Sequence, residues 1–236
     1  MRAAATAGPD RARNRIGRVR RPKAMRGAVA FLALVGVLGL TGCAGSSASV
    51  DNPAGVLISE QSDSDFAGSE LVQPYQLPDV EFTNTQGESF NPATDAQSAV
   101  TLVFFGYTHC PDICNTTLAD IAAALRRADD QVADSTQLLF ITVDPERDSP
   151  QVVREYLDQF DTDFVGLTGT SEQVTTTAAA LGVALEGTVP VSGGYEVEHG
   201  TQVIGFDAVG AGRLVWTQGT TVGDLRDDIT KLAEAA

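Results

Sequence analysis

The chain has 236 residues and a formal net charge of −15. Nine of its 16 Lys and Arg residues lie in the first 42 positions, so the remainder carries a net charge near −23. This charge excludes nucleic acid as a partner of the remainder, because phosphate backbones bind positively charged surfaces. The acidity suits attraction of cations or of a basic protein patch, and it is also a plain solubility trait of some secreted proteins.

Residues 1–42 have the pattern of a secretion signal. An unbroken apolar run over 28–40 follows basic residues and is too short to cross a bilayer as a helix. It ends in Leu40-Thr41-Gly42-Cys43, which is typical of bacterial lipoprotein signals, in which Cys43 is acylated and becomes the N-terminus. A plain small-residue cleavage site is the alternative, and either Met1 or Met25 is the start of translation. We therefore expect a lipid-anchored protein of the cell membrane, with its domain on the extracytoplasmic side.

Residues 43–70 are rich in Gly, Ser, Ala and Asp, which predicts a flexible tether between the lipid anchor and a folded unit. The folded unit is expected over 71–236, a length that suits one domain.

The elements of this unit follow from local patterns. Residues 80–83 and 88–90 flank a Gly-containing turn and predict an opening hairpin. The apolar runs 100–105 and 137–143 predict buried strands, with a helix over 113–125 between them. Ser149 and Pro150 predict the start of a helix that ends near 160. A short strand over 164–167, a helix from 171 to a glycine at 182, a hairpin over 202–206 and 213–216 and a helix over 222–235 complete the pattern.

Strands that alternate with helices predict an α/β sandwich built on one central mixed sheet flanked by helices. The predicted hairpin over 80–90 is an N-terminal extension of this sheet. With a pair of cysteines directly after the first core strand, this order of elements resembles the thioredoxin fold, so we expect a thioredoxin-like sandwich.

Cys110 and Cys114 lie where the 100–105 strand gives way to the 113–125 helix, so we expect both sulfurs in the first helical turn. Unpaired N–H groups and the helix dipole favour thiolates there. With Cys43 assigned to a lipid, these are the remaining thiols of an exported chain. A disulfide across so short a loop would restrict the unfolded chain little, so the pair is expected to react or to bind a ligand.

Three residues separate these cysteines, one more than in a redox thioredoxin, and positions four apart on a helix face the same way. Two thiolates suit Cu(I), and an added imidazole extends the site to Cu(II), although zinc is also compatible. His109 is expected to point away from the pair. His199 precedes the 202–206 strand, in a loop that faces the cysteine turn in a thioredoxin-like fold, and its spacing alone leaves a ligand and an exposed loop residue equally open.

Four separated motifs resemble the Sco/SenC family of copper chaperones for cytochrome c oxidase assembly. They lie at 106–114, 144–148, 166–169 and 195–199. The resemblance implies that Cys110, Cys114 and His199 are copper ligands. It implies that the client is the binuclear copper centre of oxidase subunit II, loaded after an upstream donor supplies copper. Asn115 stands where proline is common in the family, and Glu198 where aspartate often precedes the histidine.

Asp144 follows the predicted 137–143 strand. The order of the strands brings the end of this strand near the cysteine turn. Asp144 is therefore a candidate to adjust the properties of the site by contacting the ligands rather than the metal. A strand end followed by a proline turn gives the same pattern without any function. A rival to the metallochaperone is a thiol:disulfide oxidoreductase that reduces the client's cysteines, because the same thiolates serve both purposes. A peroxidase is less favoured, since no further motif of that family occurs.

Overall fold

The computed structural model describes residues 64–235. The predicted signal sequence, the lipidation candidate Cys43 and most of the predicted tether lie outside these residues. Within 64–235, none of the helices combines the length and the apolar character that crossing a bilayer requires.

Ten strands and six helices occur in the described residues. The strands are β1 (Ser69–Gln76), β2 (Phe82–Asn84), β3 (Ser89–Phe90), β4 (Val100–Gly106), β5 (Thr136–Thr142), β6 (Val165–Thr168), β7 (Leu185–Val191), β8 (Gly194–His199), β9 (Val203–Phe206) and β10 (Ala211–Trp216). The helices are α1 (Pro92–Asp95), α2 (Ile113–Leu125), α3 (Asp130–Asp134), α4 (Pro150–Leu157), α5 (Ser171–Ala180) and α6 (Val222–Glu234).

Eight strands form one mixed sheet in the order β1-β10-β9-β4-β5-β6-β2-β3. Strands β4, β5 and β6 are parallel at its centre, and the outer pairs are antiparallel. All seven residues of β4 are buried, which explains its continuous apolar sequence, because a central parallel strand is covered on both faces. The predicted mixed sheet and its β2–β3 hairpin extension are confirmed.

The two faces of β4 belong to two separate cores. Leu102 and Phe104 pack in the core that contains the buried faces of α2, α4 and α6. Val103 and Phe105 point the other way, into the core that contains the buried face of α5. Helices therefore cover both sides of the sheet, as the strand and helix order predicts.

Two predicted helix boundaries are confirmed, namely the start of α4 before β6 and the end of α5 after it. The Ser149 hydroxyl accepts a hydrogen bond from the backbone N–H of Val152, and Pro150 occupies the first turn of α4. The helix α5 is followed by Gly182, whose φ of 64° is the left-handed conformation that glycine adopts without strain.

The sequence analysis missed the strand β1 and the hairpin formed by β7 and β8. β1 begins two residues before the predicted folded unit, and the N–H groups of Ala67 and Gly68 already bond to the buried carboxylate of Asp228. The last few residues of the predicted 43–70 tether are therefore part of the folded structure. Most of β7 is exposed, so the hairpin carries no alternating buried face that a sequence pattern would reveal.

Gly106, the last residue of β4, leaves no room for a side chain. A β-carbon at this position would lie 2.8 Å from Cε2 of Phe140 and 3.2 Å from Sγ of Cys114. The glycine therefore allows the start of α2 to pack directly against the end of the strand, with the Cys114 sulfur beside it.

The substitution Gly106→Ala is expected to lower the free energy of unfolding by about 1–3 kcal/mol, because the added methyl group overpacks this contact. Urea denaturation followed by circular dichroism measures the change. Gly223→Ala is the matched control, since a β-carbon there meets only the Thr221 hydroxyl oxygen at 3.7 Å. A Gly106→Ala chain as stable as the control would contradict the close packing.

Candidate metal centre

The two cysteines lie in different secondary structure, one in a helix and one in the turn before it. Cys114 is the second residue of α2, whereas Cys110 lies three residues before the helix, in a turn closed by its N–H to the Tyr107 carbonyl oxygen at 3.2 Å. The prediction that both sulfurs lie in the first helical turn is therefore correct for Cys114 and wrong for Cys110. The helix cap residue Asp112 makes no side-chain cap bond, and the backbone N–H of Cys114 points at the Cys110 sulfur, 3.4 Å away. This N–H has no acceptor within the helix and donates to the sulfur instead, which favours negative charge on Cys110.

Three donor atoms come together at this helix end. The sulfurs of Cys110 and Cys114 and a ring nitrogen of His199 all lie within 4.8 Å of one another. The Cys114 sulfur is 3.8 Å from Nε2 of His199, and both cysteines are free thiols. Ligands held at about 2.0–2.3 Å from one ion stand roughly 3.3–4.5 Å apart, so the group fits a single metal ion with little movement.

His199 is the last residue of β8 rather than part of a loop before β9. Its Nδ1 lies 2.8 Å from the carbonyl oxygen of Gly200. A carbonyl oxygen only accepts hydrogen bonds, so Nδ1 carries the ring proton in the neutral imidazole. Nε2 is then left with a free lone pair facing the sulfurs, and the backbone contact orients the ring in the way that metal-binding histidines are usually oriented.

The two thiols have opposite shifts in pKa. The hydrogen bond from the Cys114 thiol lowers the pKa of Cys110, while burial opposes the change. The same bond raises the pKa of Cys114, and burial raises it further. The pair therefore shares one proton, with a thiolate at Cys110 and a thiol at Cys114, and binding of a metal by both sulfurs releases that proton.

An open cleft of roughly 440 Å³ leads to the donor atoms. Cys110 and His199 line it, whereas Cys114 is fully buried beneath them. Four acidic residues also line the cleft, namely Asp112, Glu186, Glu196 and Glu198. An ion or a partner's ligand therefore reaches Cys110 and His199 from solvent through a negatively charged entrance.

The side chain of His109 is 56% exposed and is outside the group of donor atoms that the described residues form. Its Nδ1 lies 3.0 Å from the Thr108 hydroxyl. It contacts Thr108 and Asp148 instead of joining the three donor atoms.

Asp148 fixes the loop that carries Cys110, a role that the sequence analysis missed. Its buried carboxylate accepts hydrogen bonds from the N–H of Thr108 at 3.0 Å and from the Thr108 hydroxyl at 2.6 Å. The Thr142 hydroxyl at the end of β5 donates a third bond at 2.6 Å. The cysteine loop is thereby tied to the core of the sheet. Nothing in the sequence pattern separates Asp148 from a helix-capping acid.

Asp144 contacts none of the three donor atoms directly. Its buried carboxylate accepts a hydrogen bond from the Tyr195 hydroxyl at 2.9 Å and pairs with Arg147. Tyr195 lies on β8, the strand that ends in His199. The structure thus connects Asp144 to the site through the histidine strand rather than through the cysteines.

Asn115 links α4 to the cysteine loop. It stands at the position where proline is common in the Sco/SenC family, which the sequence resembles. Its side-chain oxygen accepts a hydrogen bond from the Tyr156 hydroxyl at 3.0 Å. Its amide nitrogen lies 3.5 Å from the carbonyl oxygen of Cys110.

The chain is similar to proteins of one family. A family model described as SCO1/SenC matches residues 69–234. A protein of Stutzerimonas stutzeri that is named for copper binding is 34% identical over 129 residues, which are 55% of this chain and 63% of that protein. The chain spans less than two thirds of the length of the curated relatives it matches, among them this protein and Sco homologues of Arabidopsis thaliana and Rickettsia felis.

Two solved structures confirm the thioredoxin-like fold and carry the same family name. Bradyrhizobium japonicum ScoI with copper bound is 30% identical, with a TM-score of 0.59 over 67% of this chain and 97% of that one. A SCO1/SenC family lipoprotein from Bacillus anthracis is 26% identical, with a TM-score of 0.59 over 69% of this chain and 99% of that one. Because the family model covers well over half of the sequence and the structural matches agree with it, the chain belongs to the SCO1/SenC family.

Proposed function

We propose that the chain is a membrane-anchored, extracytoplasmic copper chaperone that delivers copper to the binuclear copper centre of cytochrome c oxidase subunit II. The observation that carries the proposal is the meeting of Cys110, Cys114 and His199 at the wall of an open cleft. The similarity to ScoI with copper bound supports copper over zinc as the cargo.

The donor set explains uptake and release. Two thiolates satisfy Cu(I), and the added imidazole of His199 makes the site suitable for Cu(II) as well. A site with three protein ligands keeps a position open for an incoming ligand, unlike a closed four-ligand structural site. An upstream donor loads the reduced thiols, and a client thiolate that enters the cleft takes the ion by ligand exchange. No covalent bond in a substrate breaks.

The negative charge at the cleft supports this route. The acidic residues of the entrance raise the local concentration of cations and favour approach of a basic protein surface.

The membrane anchor completes the proposal. An acyl group on Cys43, joined to the domain by the predicted tether, would hold the domain at the membrane surface, close to a membrane-bound client. Labelling with a radioactive fatty acid tests the anchor, and label that persists in Cys43→Ser would exclude this attachment site.

A thiol:disulfide oxidoreductase is the second candidate, and the pairing of a thiolate at the wall of the open cleft with a thiol buried beneath it favours this candidate. In that reaction Cys110 attacks a client disulfide and releases one client thiolate, and Cys114 then displaces the other to close a Cys110–Cys114 disulfide. The client disulfide gains two electrons. A second dithiol must then reduce the Cys110–Cys114 disulfide before the chain can react again. Such exchange needs no imidazole, so the position of His199 favours the copper chaperone.

The substitution His199→Ala is expected to abolish the sulfur-to-copper absorption of the Cu(II)-loaded chain, because the two thiolates alone suit Cu(I). The His199→Ala chain is expected to retain Cu(I). Cys110→Ser and Cys114→Ser are each expected to lose it. Titration with each copper ion under absorption spectroscopy measures these outcomes, and His109→Ala is the matched control. Unchanged stoichiometry and spectra in His199→Ala would remove this residue from the site.

Alkylation of the metal-free chain is expected to reach Cys110 before Cys114. Because the pKa of Cys110 is lowered, its thiolate persists as the pH falls from 8 to 6, where an ordinary thiol with a pKa of about 8.5 becomes protonated. Its rate with iodoacetamide should change little over this range, whereas an ordinary thiol slows roughly tenfold for each pH unit. Peptide mapping assigns the label to each cysteine, and earlier labelling of Cys114 would contradict the arrangement.

A further inference from the structure

The hairpin that carries His199 is separate from the main sheet. Within the described residues, β7 and β8 pair only with each other and form a second, two-stranded sheet. Their base is closed by the N–H of Gly200, which bonds to the carbonyl oxygen of Ala184 at 2.8 Å. The position of the His199 ring therefore depends on contacts that side chains of the hairpin make with the rest of the domain.

Tyr195, on β8, provides such a contact. Its hydroxyl donates a hydrogen bond to the buried carboxylate of Asp144 at 2.9 Å. The guanidinium carbon of Arg147 lies 3.7 Å from the centre of the Tyr195 ring, and Arg147 also pairs with Asp144. A charged hydrogen bond and a cation–π contact thus tie β8 to the segment that follows β5.

The same segment also holds the cysteine side of the site. Arg147 lies 5.8 Å from the ring centre of Tyr107, and the Tyr107 ring meets the ring of His199 edge to face at 5.8 Å. Asp148, the next residue, fixes Thr108 beside Tyr107. Residues 144–148 therefore contact both of the elements that supply donor atoms.

We propose that Tyr195 and Arg147 are positioning residues that hold β8 so that the His199 imidazole reaches the two sulfurs. They thereby determine how well the chain retains Cu(II) relative to Cu(I). This inference rests on the ligand set of the proposed function. Cu(I) is satisfied by two thiolates, whereas Cu(II) requires the nitrogen donor, so a loosened β8 weakens the binding of Cu(II) and spares that of Cu(I).

Two variants of the full-length chain test this inference. Tyr195→Phe keeps the ring but removes the hydroxyl bond to Asp144, and Arg147→Lys keeps the charge but removes the planar group that stacks on the ring. Each is expected to lower the affinity for Cu(II) about tenfold, as loss of a contact behind a metal ligand usually does. The affinity for Cu(I) should stay within about twofold in both variants, as measured by competition with a chelator for each ion.

The matched controls are Tyr75→Phe and Arg213→Lys, which make the same changes on β1 and β10, away from the site. A second readout uses the metal-free chain. Amide hydrogen exchange over residues 194–199 should be faster in Tyr195→Phe and Arg147→Lys than in either control, since β8 loses its attachment.

Equal losses of Cu(I) and Cu(II) affinity, or unchanged Cu(II) affinity with unchanged exchange, would overturn the positioning role. A wild-type chain that binds neither copper ion would instead overturn the proposed function. The exchange rates of the metal-free variants would then still decide whether Tyr195 and Arg147 hold β8.

Discussion

The contact between Nε2 of His199 and the sulfur of Cys114, at 3.8 Å, joins positions 85 residues apart in the sequence. The cysteine loop alone would form a dithiol, able to exchange disulfides or to bind a soft ion in two-coordinate form. The imidazole of His199 adds a third donor to this pair. The two parts of the site are distant in the sequence, so only the fold brings them together. The character of the site therefore depends on how the fold holds the β7–β8 hairpin against the start of α2.

The two halves of the site are held with different strength. The cysteines rest on the central strand, since Gly106 lets α2 pack against the end of β4 and Asp148 ties the loop to β5. The histidine stands on an exposed hairpin outside the main sheet. Elements with few buried contacts open most easily, so an ion can lose its imidazole ligand while both sulfurs stay in place. For the proposed chaperone, this division makes the imidazole the ligand that an incoming client thiolate displaces most easily.

Much of the fold follows from local signals. The buried runs of β4 and β5, the Ser149 cap of α4 and the glycine after α5 all act within a few residues, so the sequence predicts them. The β7–β8 hairpin escapes because its exposed residues have no alternation. The sequence analysis expects the Cys110 sulfur in the first helical turn, whereas the helix starts after its cap residue Asp112 and leaves Cys110 in the preceding turn. The bond between Tyr195 and Asp144 spans 51 residues, and only the fold reveals it.

X-ray absorption spectroscopy of the copper-loaded chain tests the central claim most directly, because it identifies the atoms bound to the ion. The account predicts two sulfur ligands in both oxidation states and a nitrogen ligand from imidazole when copper is Cu(II). A Cu(II) centre whose bound atoms include no imidazole nitrogen would contradict the account, since the fold would then have brought His199 to the sulfurs without any part in holding the ion.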